Sequence, residues 1–562
     1  MPIRRWNPAG LSLAVALMAC GGQDFSLSRP EPVPYADTLP APQPAADERR
    51  EAVLLLQEAV VGEIGSTLSV RRALGAAHEA IDITHFDDVV SSAWFQHRNG
   101  RDPMTADEVA RGPSTGSPNL DGKLKVTAPK TGGITPGFTI EDADGVTYFV
   151  KFDPKGNLHL SSAAGVISNR LFYAAGYYTP EDYIIVFDSA QLVVDSAARV
   201  GEGDDARPMT GHDVRRVLEG VDPLPDGRYL AIASKKLPGK LLGPFHFSGN
   251  RDDDPNDYFD HEYRRELRGL YVLSAWLNHV DMRFANTRDV YIDPPGYVRH
   301  YLFDFGATLG SGTIRPHNAR EGIEYNFDFW SSMERLFTLG FFRMGWEGAD
   351  ARVIHPAIGY IPTKLFDPGG WRANWPNDAF RRVTARDGYW GAKLVGSFTE
   401  PQIRAAVSEG HLPAEAADTL VRILAYRREK TIEYWYGKVT PIENVQVDRR
   451  VTDGDDGLVV SFEDLGLTSG VWDAASTRYS WRLHDRKLGL RSSGEQPGLA
   501  APRQSLALAM ERRALSSPPA EPDELTELRI RAVRPTADGR EAVIYLRWMG
   551  KEVGYQVVGL TH

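Results

Sequence analysis

A lysine at 151, aspartates at 281 and 304 and an asparagine at 286 are residue types that can manage a polyphosphate. Phosphoryl transfer needs cations to neutralise phosphate oxygens, a carboxylate to orient the acceptor hydroxyl, and hard oxygen ligands for a bridging metal. In His279-Val-Asp281-Met-Arg-Phe-Ala-Asn286 a carboxylate and a carboxamide follow a helix on one loop, a spacing that aims both into a single cleft. Asp304-Phe305-Gly306 follows a strand and brings a second carboxylate. Lys151 lies in Tyr148-Phe-Val-Lys-Phe152, behind the turn-rich Gly132-Gly133-Ile-Thr-Pro-Gly137-Phe138. A lysine on a strand beneath a glycine-bearing loop is suited to clamp phosphates.

The elements that must hold these residues can be read from periodicity. Tyr148–Phe152, Tyr183–Phe187 and Arg228–Ala233 are strand-like. Between the first two, Ser161-Ser162 offers an N-cap to a helix running to Ala175, with Gly176 as its stop. Asp260 is placed to cap a second helix, in which Tyr263, Leu267, Leu270 and Leu277 fall at helical spacing and which feeds into His279. His300–Asp304 reads as a strand, and further helices are expected between Thr399 and Tyr436. After Pro441 short alternating strands such as Leu458–Phe462, Tyr479–Leu483 and Ala542–Arg547 predict a small β-sandwich.

The order of these motifs resembles the protein-kinase-like superfamily, nearest to its divergent bacterial branches of the HipA and phosphoinositide-kinase type. His279-x-Asp281-x-x-x-x-Asn286 and Asp304-Phe305-Gly306 carry the resemblance, over about residues 91–438. It implies an α+β, two-lobed kinase-like fold with the β-sandwich as an addition. It also implies ATP and Mg²⁺ as cofactors. Asp281, Lys151 and His279 are then candidate catalytic residues, Gly132, Gly133, Gly137 and Lys151 candidate nucleotide-binding residues, and Asn286 and Asp304 candidate Mg²⁺ ligands. The chain departs from the pattern in two places. The Gly-rich loop is not G-x-G-x-x-G, and the Ser161–Ala175 helix has no acidic residue to pair with the clamp lysine, Gly165 standing about where a Glu is expected. Two principal function classes follow: an active phosphotransferase with an unknown protein or small-molecule acceptor, or an inactive kinase-like module that binds a ligand or partner. A third is a structural envelope protein whose β-sandwich binds glycan or protein.

The chain's start points to export. Arg4-Arg5, the apolar Leu11–Ala19 and then Cys20 form a signal-peptide pattern too short to span a membrane. Leu17-Met18-Ala19-Cys20 resembles a lipobox, which implies lipidation of Cys20. Gly21 rather than Asp at the next position suggests outer-membrane sorting by the same resemblance. The expected organisation is a signal peptide over 1–19, a Pro/Ala-rich disordered tether over 20–50, and a helical extension over 51–125. A kinase-like N-lobe over 126–245, a helical C-lobe over 246–440 and a β-sandwich over 441–562 follow. Membrane attachment is expected through the lipid alone. Of the 562 residues, 42% are hydrophobic and 25% charged, which excludes a disordered or fibrous chain. A formal net charge of −11 without a long basic run argues against nucleic acid as partner. One cysteine excludes an internal disulfide framework.

Two other motifs are weaker. Gly112-Pro-Ser114-Thr-Gly116 fits the G-x-S-x-G elbow, but a helical segment precedes it where a strand is needed, so a plain loop is expected. Asp252-Asp-Asp254-Pro-Asn256-Asp257 begins like a calcium loop, yet Asp257 stands where Gly is required and Tyr263 where Glu is required. An acidic loop leading into a helix is the expected reading.

Overall fold

The computed structural model describes residues 37–47, 78–130, 134–201, 203, 206–326, 336–338, 346–347, 351–452, 455–485, 489–509, 525–537, 539–550 and 552–562. Cys20, the apolar leader and the expected helix from Glu51 lie outside these residues, as do Gly132 and Gly133.

The first half of the described chain builds a six-stranded sheet. Its strands are β1 (Leu124–Pro129), β2 (Gly137–Glu141), β3 (Thr147–Phe152), β4 (Asp182–Phe187) and β5 (Leu192–Val194), followed beyond a two-stranded ribbon of β6 (Arg199–Val200) and β7 (Arg207–Pro208) by β8 (Tyr229–Lys235). They lie side by side in the order β4-β8-β3-β2-β1-β5. Alternation decides which face is buried. Tyr148, Val150 and Phe152 point into a core shared with Ile185, Ala231 and Ala233, sealed by Val214 and Leu218 of α3 (Gly211–Glu219). Lys151 therefore falls on the opposite face.

That opposite face packs against α2 (Leu160–Ala175), where every residue but Tyr173 is buried. The helix ends at Gly176, as its sequence predicts, in a left-handed-side backbone at φ 130° where a Cβ would lie 2.2 Å from the Phe95 ring. Its start differs from expectation. The cap is not Ser161 or Ser162 but Asp153, whose carboxylate accepts from the backbone N–H groups of His159, Ser161 and Ser162 at 2.8 Å each. A carboxylate meeting the unpaired amides of a helix start is favourable both for hydrogen bonding and for the helix dipole.

The second half is helical. The central helix, α4 (Arg265–Leu277), is buried along its whole length, and Asn278 ends it in the left-handed region at φ 51°. Asp260 does not cap it; a 3₁₀ turn over His261–Tyr263 intervenes. Around it lie α5 (Ala385–Gly396), α6 (Glu400–Ser408) and α7 (Ala414–Tyr436), the last two within the span where helices are expected. A small sheet of β9 (Lys240–Gly243), β10 (Thr287–Ile292) and β11 (Tyr297–Leu302), ordered β11-β10-β9, presents the turns that carry Asn286 and Asp304.

Beyond residue 441 two antiparallel sheets face one another. One comprises β12 (Ile442–Thr452), β13 (Asp455–Asp464) and β16 (Arg503–Ala509). The other comprises β14 (Arg478–Asp485), β15 (Gly489–Pro497), β17 (Leu525–Val533), β18 (Ala542–Trp548) and β19 (Tyr555–Thr561). Leu458, Val460 and Phe462 from the first meet Tyr479, Leu528 and Ile544 from the second in one core. The architecture is α+β with C-terminal antiparallel sheets.

Residues 37–47, part of the expected tether, lie against the helical lobe. Asn256 donates to the Leu39 carbonyl at 2.8 Å, Asp253 accepts from the Ala45 N–H at 2.8 Å, and Ala41 N–H donates to Gly296. The acidic 252–257 loop thus binds the protein's own N-terminal segment. The Gly112–Gly116 stretch follows the short helix α1 (Ala106–Arg111) and is a loop, its Thr115 bonded to Glu181.

Candidate active site

Lys151 leaves the face of β3 that looks toward the helical lobe, and its ammonium meets Asp304 Oδ2 at 2.7 Å. Its cross-strand partner in register is Gly137. A Cβ there would lie 2.2 Å from the Val150 carbonyl, so β2 approaches β3 too closely for any side chain, and none covers the lysine. Of the three candidate glycines, Gly137 is thus placed over the clamp, while Gly132 and Gly133 fall outside the described residues.

Asp304 occupies the left-handed region at φ 59°. A non-glycine residue held there costs of order 1–3 kcal/mol, a strain that concentrates at functional turns. The turn after it is bolted to α2. The Ser161 hydroxyl reaches the Gly306 carbonyl at 3.4 Å, the Thr308 hydroxyl meets Ser168 at 2.7 Å, and Phe305 stacks on Phe172 with centroids 5.0 Å apart. Burial works against the charge on Asp304, but the Lys151 ammonium, helped by Lys130, holds its carboxyl below the usual range.

The loop after α4 supplies the other acid. Asn286 Nδ2 donates to the backbone carbonyl of Asp281 at 2.8 Å and to its Oδ2 at 3.0 Å, and Arg283 Nε pairs with its Oδ1 at 2.9 Å. Burial raises the Asp281 carboxyl above its ordinary value, and the charge of Asp304 adds to the rise, against Arg283 and Asn286. Phe303 N–H donates to the Asn286 carbonyl at 3.1 Å, which ties this loop to the residue before Asp304. Trp371 steadies the whole turn through Nε1 on Asn278 Oδ1 at 3.0 Å.

His279 does not join them. Its side chain is fully buried edge-on against the stacked rings of Phe172 and Phe305, at centroid distances of 5.9 and 5.8 Å, and neither ring nitrogen has a well-formed hydrogen bond. Burial pushes its pKa down to about 3, so the ring is a neutral packing group. A direct chemical role expected from the motif does not fit an imidazole with no path to the cleft.

Three residues that the sequence did not single out belong to the site. Lys130, just after β1, is lowered in pKa by burial and then by the like charge of Lys151, and it is stabilised by Asp304, which makes it a second cation at the clamp. Asp153 anchors α2. Asp182, at the start of β4, is buried and feels both Lys151 and Asp304. Only Lys130 left a local trace, a lysine just before the glycine-bearing turn; the other two depend on where the strands bring the chain.

Among the described residues no cluster of three or more His, Cys, Asp or Glu could hold a metal. The two expected ligands lie on turns joined by the Phe303 N–H bond to the Asn286 carbonyl: Asp304, with its side chain 37% exposed, and Asn286, whose amide nitrogen is spent on Asp281 so that Oδ1 is the atom left for a cation. One carboxylate and one carboxamide form a poor all-protein cage. Such a pair would suit only a hard cation that keeps most of its waters, the kind of ion Mg²⁺ is.

No family model and no curated protein matches the chain. A solved structure, that of the Helicobacter pylori proinflammatory kinase CtkA, is similar over 55% of this chain and 96% of its own, at 11% identity and a TM-score of 0.23. A likeness at that score carries no argument about this chain.

Proposed function

We propose that the cleft between the six-stranded sheet and the helical lobe binds a nucleoside triphosphate with Mg²⁺ and transfers its terminal phosphoryl group to an acceptor hydroxyl. The observation that carries this reading is the pairing of Lys151 with Asp304 at 2.7 Å, beside a loop on which Asn286 is hydrogen-bonded to Asp281. Lysine, two aspartates and asparagine from three distant segments meet in one place with complementary tasks.

Lys151 and Lys130 would neutralise phosphate oxygens, beneath a β2 that Gly137 keeps bare. Asn286 and Asp304 would hold Mg²⁺, which supplies charge neutralisation and alignment of the phosphates. Asp281, kept in place by Asn286 and Arg283, would accept the proton of the acceptor hydroxyl as its oxygen bonds to phosphorus and the bridging P–O bond breaks, releasing the nucleoside diphosphate. Its raised affinity for a proton suits that task. His279 would act only by packing Phe305 against Phe172. The acceptor, a protein or a small molecule, is not specified by this geometry. Export and lipidation at Cys20, with the membrane as a partner through the lipid only, belong to the same proposal on the strength of the leader sequence.

The test is turnover of γ-labelled ATP with Mg²⁺, read as self-labelling or as released phosphate. Asp281→Asn should cut the rate by about 10²–10⁴-fold, the range for loss of a general base. Equal rates in wild type and variant would refute catalysis by this site. Binding of Mg²⁺·ATP without any turnover would instead favour the second reading, a kinase-like binding module, to which the lack of an acidic residue on α2 lends support.

A further inference from the structure

A clamp lysine needs an anionic anchor behind it, and α2 cannot supply one. The helix carries no acidic residue, and a Cβ at Gly165 would lie 2.8 Å from Ile232 Cδ1 of β8, so any side chain there would have to displace that methyl. The sheet register shows where an acid does arrive. Lys151 pairs with Ile232, Phe149 pairs with Ser234, and Ser234 pairs in turn with Asp182 of β4. Directly paired residues share a face, as do residues two apart on a strand. Asp182 and Lys151 are therefore on the same side of the sheet, the side that α2 covers.

Asp182 is held there by the helix turn that follows Gly165. Asn169 Nδ2 donates to Asp182 Oδ2 at 3.1 Å and to the Pro180 carbonyl at 2.8 Å, while Arg170 Nη2 donates to the Asp182 carbonyl at 2.8 Å. The residue is 3% exposed, and its Oδ1 accepts no hydrogen bond of good geometry, although the Ser234 hydroxyl lies close enough to favour the charged form. Burial pushes this carboxyl up to about 6, and the charges of Arg170 and Lys151 oppose the rise. A buried carboxylate with an incomplete set of donors is stabilised by nearby cations, and Arg170 and Lys151 are the two that act on this one.

We propose that Asp182, presented by Asn169, is the positioning residue for Lys151 in place of an acidic residue on α2, and that Lys151 exchanges Asp304 for Asp182 when Asp304 takes up a cation. The proposal rests on the reading of Lys151 as a phosphate clamp. It assigns the helix face of the sheet two acids around one lysine: Asp304 in front, shared with the metal, and Asp182 behind, flanked by Arg170.

Two measurements on the full chain test it. The first needs no nucleotide: a crystal structure of Asp304→Asn. Lys151 Nζ should be found at ion-pair distance from Asp182 Oδ1; an ammonium turned to solvent, or still resting on residue 304, overturns the proposal. The second is calorimetric affinity for Mg²⁺·ATP in wild type, Asp182→Asn, Lys151→Met and the double variant. Asp182→Asn should weaken binding by about tenfold where Lys151 is present, and by nothing further in the Lys151→Met background, as expected of two groups that act through one another. An equal loss in both backgrounds marks a merely structural role and overturns the proposal. Wild type that binds no Mg²⁺·ATP would refute the nucleotide reading of the cleft, while the Asp304→Asn structure would still decide the Lys151–Asp182 pair.

Discussion

At the scale of single residues, His279 shows how a motif position and a chemical role can part. The His279-x-Asp281 string is legible in the sequence, and its aspartate does join Asn286, but the histidine is spent on packing edge-on against two phenyl rings. Its titration gives a sign that can be measured. With a folded pKa of about 3 against about 6.5 unfolded, the unfolded state binds more protons between those values. Stability contributed by the neutral ring is therefore complete above the unfolded pKa and falls as pH drops through the window, by roughly 1.4 kcal/mol per pH unit. His279→Leu should remove this dependence. The wild-type-minus-variant difference in unfolding free energy, followed by denaturant titration from about pH 6 to about pH 4, should shrink at that rate. Parallel curves would contradict the burial argument. Lys151, Asp281, Asn286 and Asp304 were legible because their types and spacing are local. Asp182 and Asp153 were not, since an aspartate gains its meaning only when register and helix packing bring it to a particular lysine or a particular helix start.

At the scale of elements, periodicity located the strands and helices well, and missed how close two of them come. The α4 pattern of Leu267, Leu270 and Leu277 predicts one apolar face, yet the helix is buried all round, with Arg265 and Arg268 paired to Asp387 of α5 at 2.9 and 3.1 Å. Small residues make this approach possible. A Cβ on Gly269 would sit 2.4 Å from the buried Trp390 ring, and one on Gly391 would sit 2.7 Å from the Gly269 carbonyl. Alanine is favoured over glycine by about 1 kcal/mol inside a helix, but overpacking costs about 1–3 kcal/mol. Gly269→Ala is therefore expected to lower the unfolding free energy or leave it unchanged in a denaturant melt; a gain near 1 kcal/mol would show that the two helices can separate freely. The cap of α2 carries the same lesson. Ser161-Ser162 looked like the cap in sequence, but the helix start was already satisfied by Asp153, which folds back from the end of β3.

At the scale of the whole molecule, one buried charge network joins parts that the sequence presents as separate. Asp87 pairs with Arg265 of α4 at 2.9 Å, with Arg386 of α5 at 2.7 Å and with His562, beyond β19, at 3.1 Å. Burial opposes its charge, yet Arg265, His562 and Arg386 hold the Asp87 carboxyl well below the usual range. Removing one partner from such a network strands the others, at roughly 3–5 kcal/mol. Asp87→Ala should lose about that much stability, and hydrogen exchange should quicken in both α4 and β19; a change confined to one of them would show the two parts to be independent. Nothing in the sequence near Asp87, a residue within the expected helical extension, announces this junction.

The central claim concerns the cleft that this framework holds open: a phosphate and metal site built on Lys151, Asp304 and Asn286. Its most direct test is calorimetric titration of ATP into wild type and Asp304→Ala, each with and without Mg²⁺. Binding by wild type should depend on Mg²⁺, and the metal-dependent part should vanish in Asp304→Ala. Affinities that are equal with and without metal and unchanged by the substitution, or an absence of binding to wild type, would contradict it.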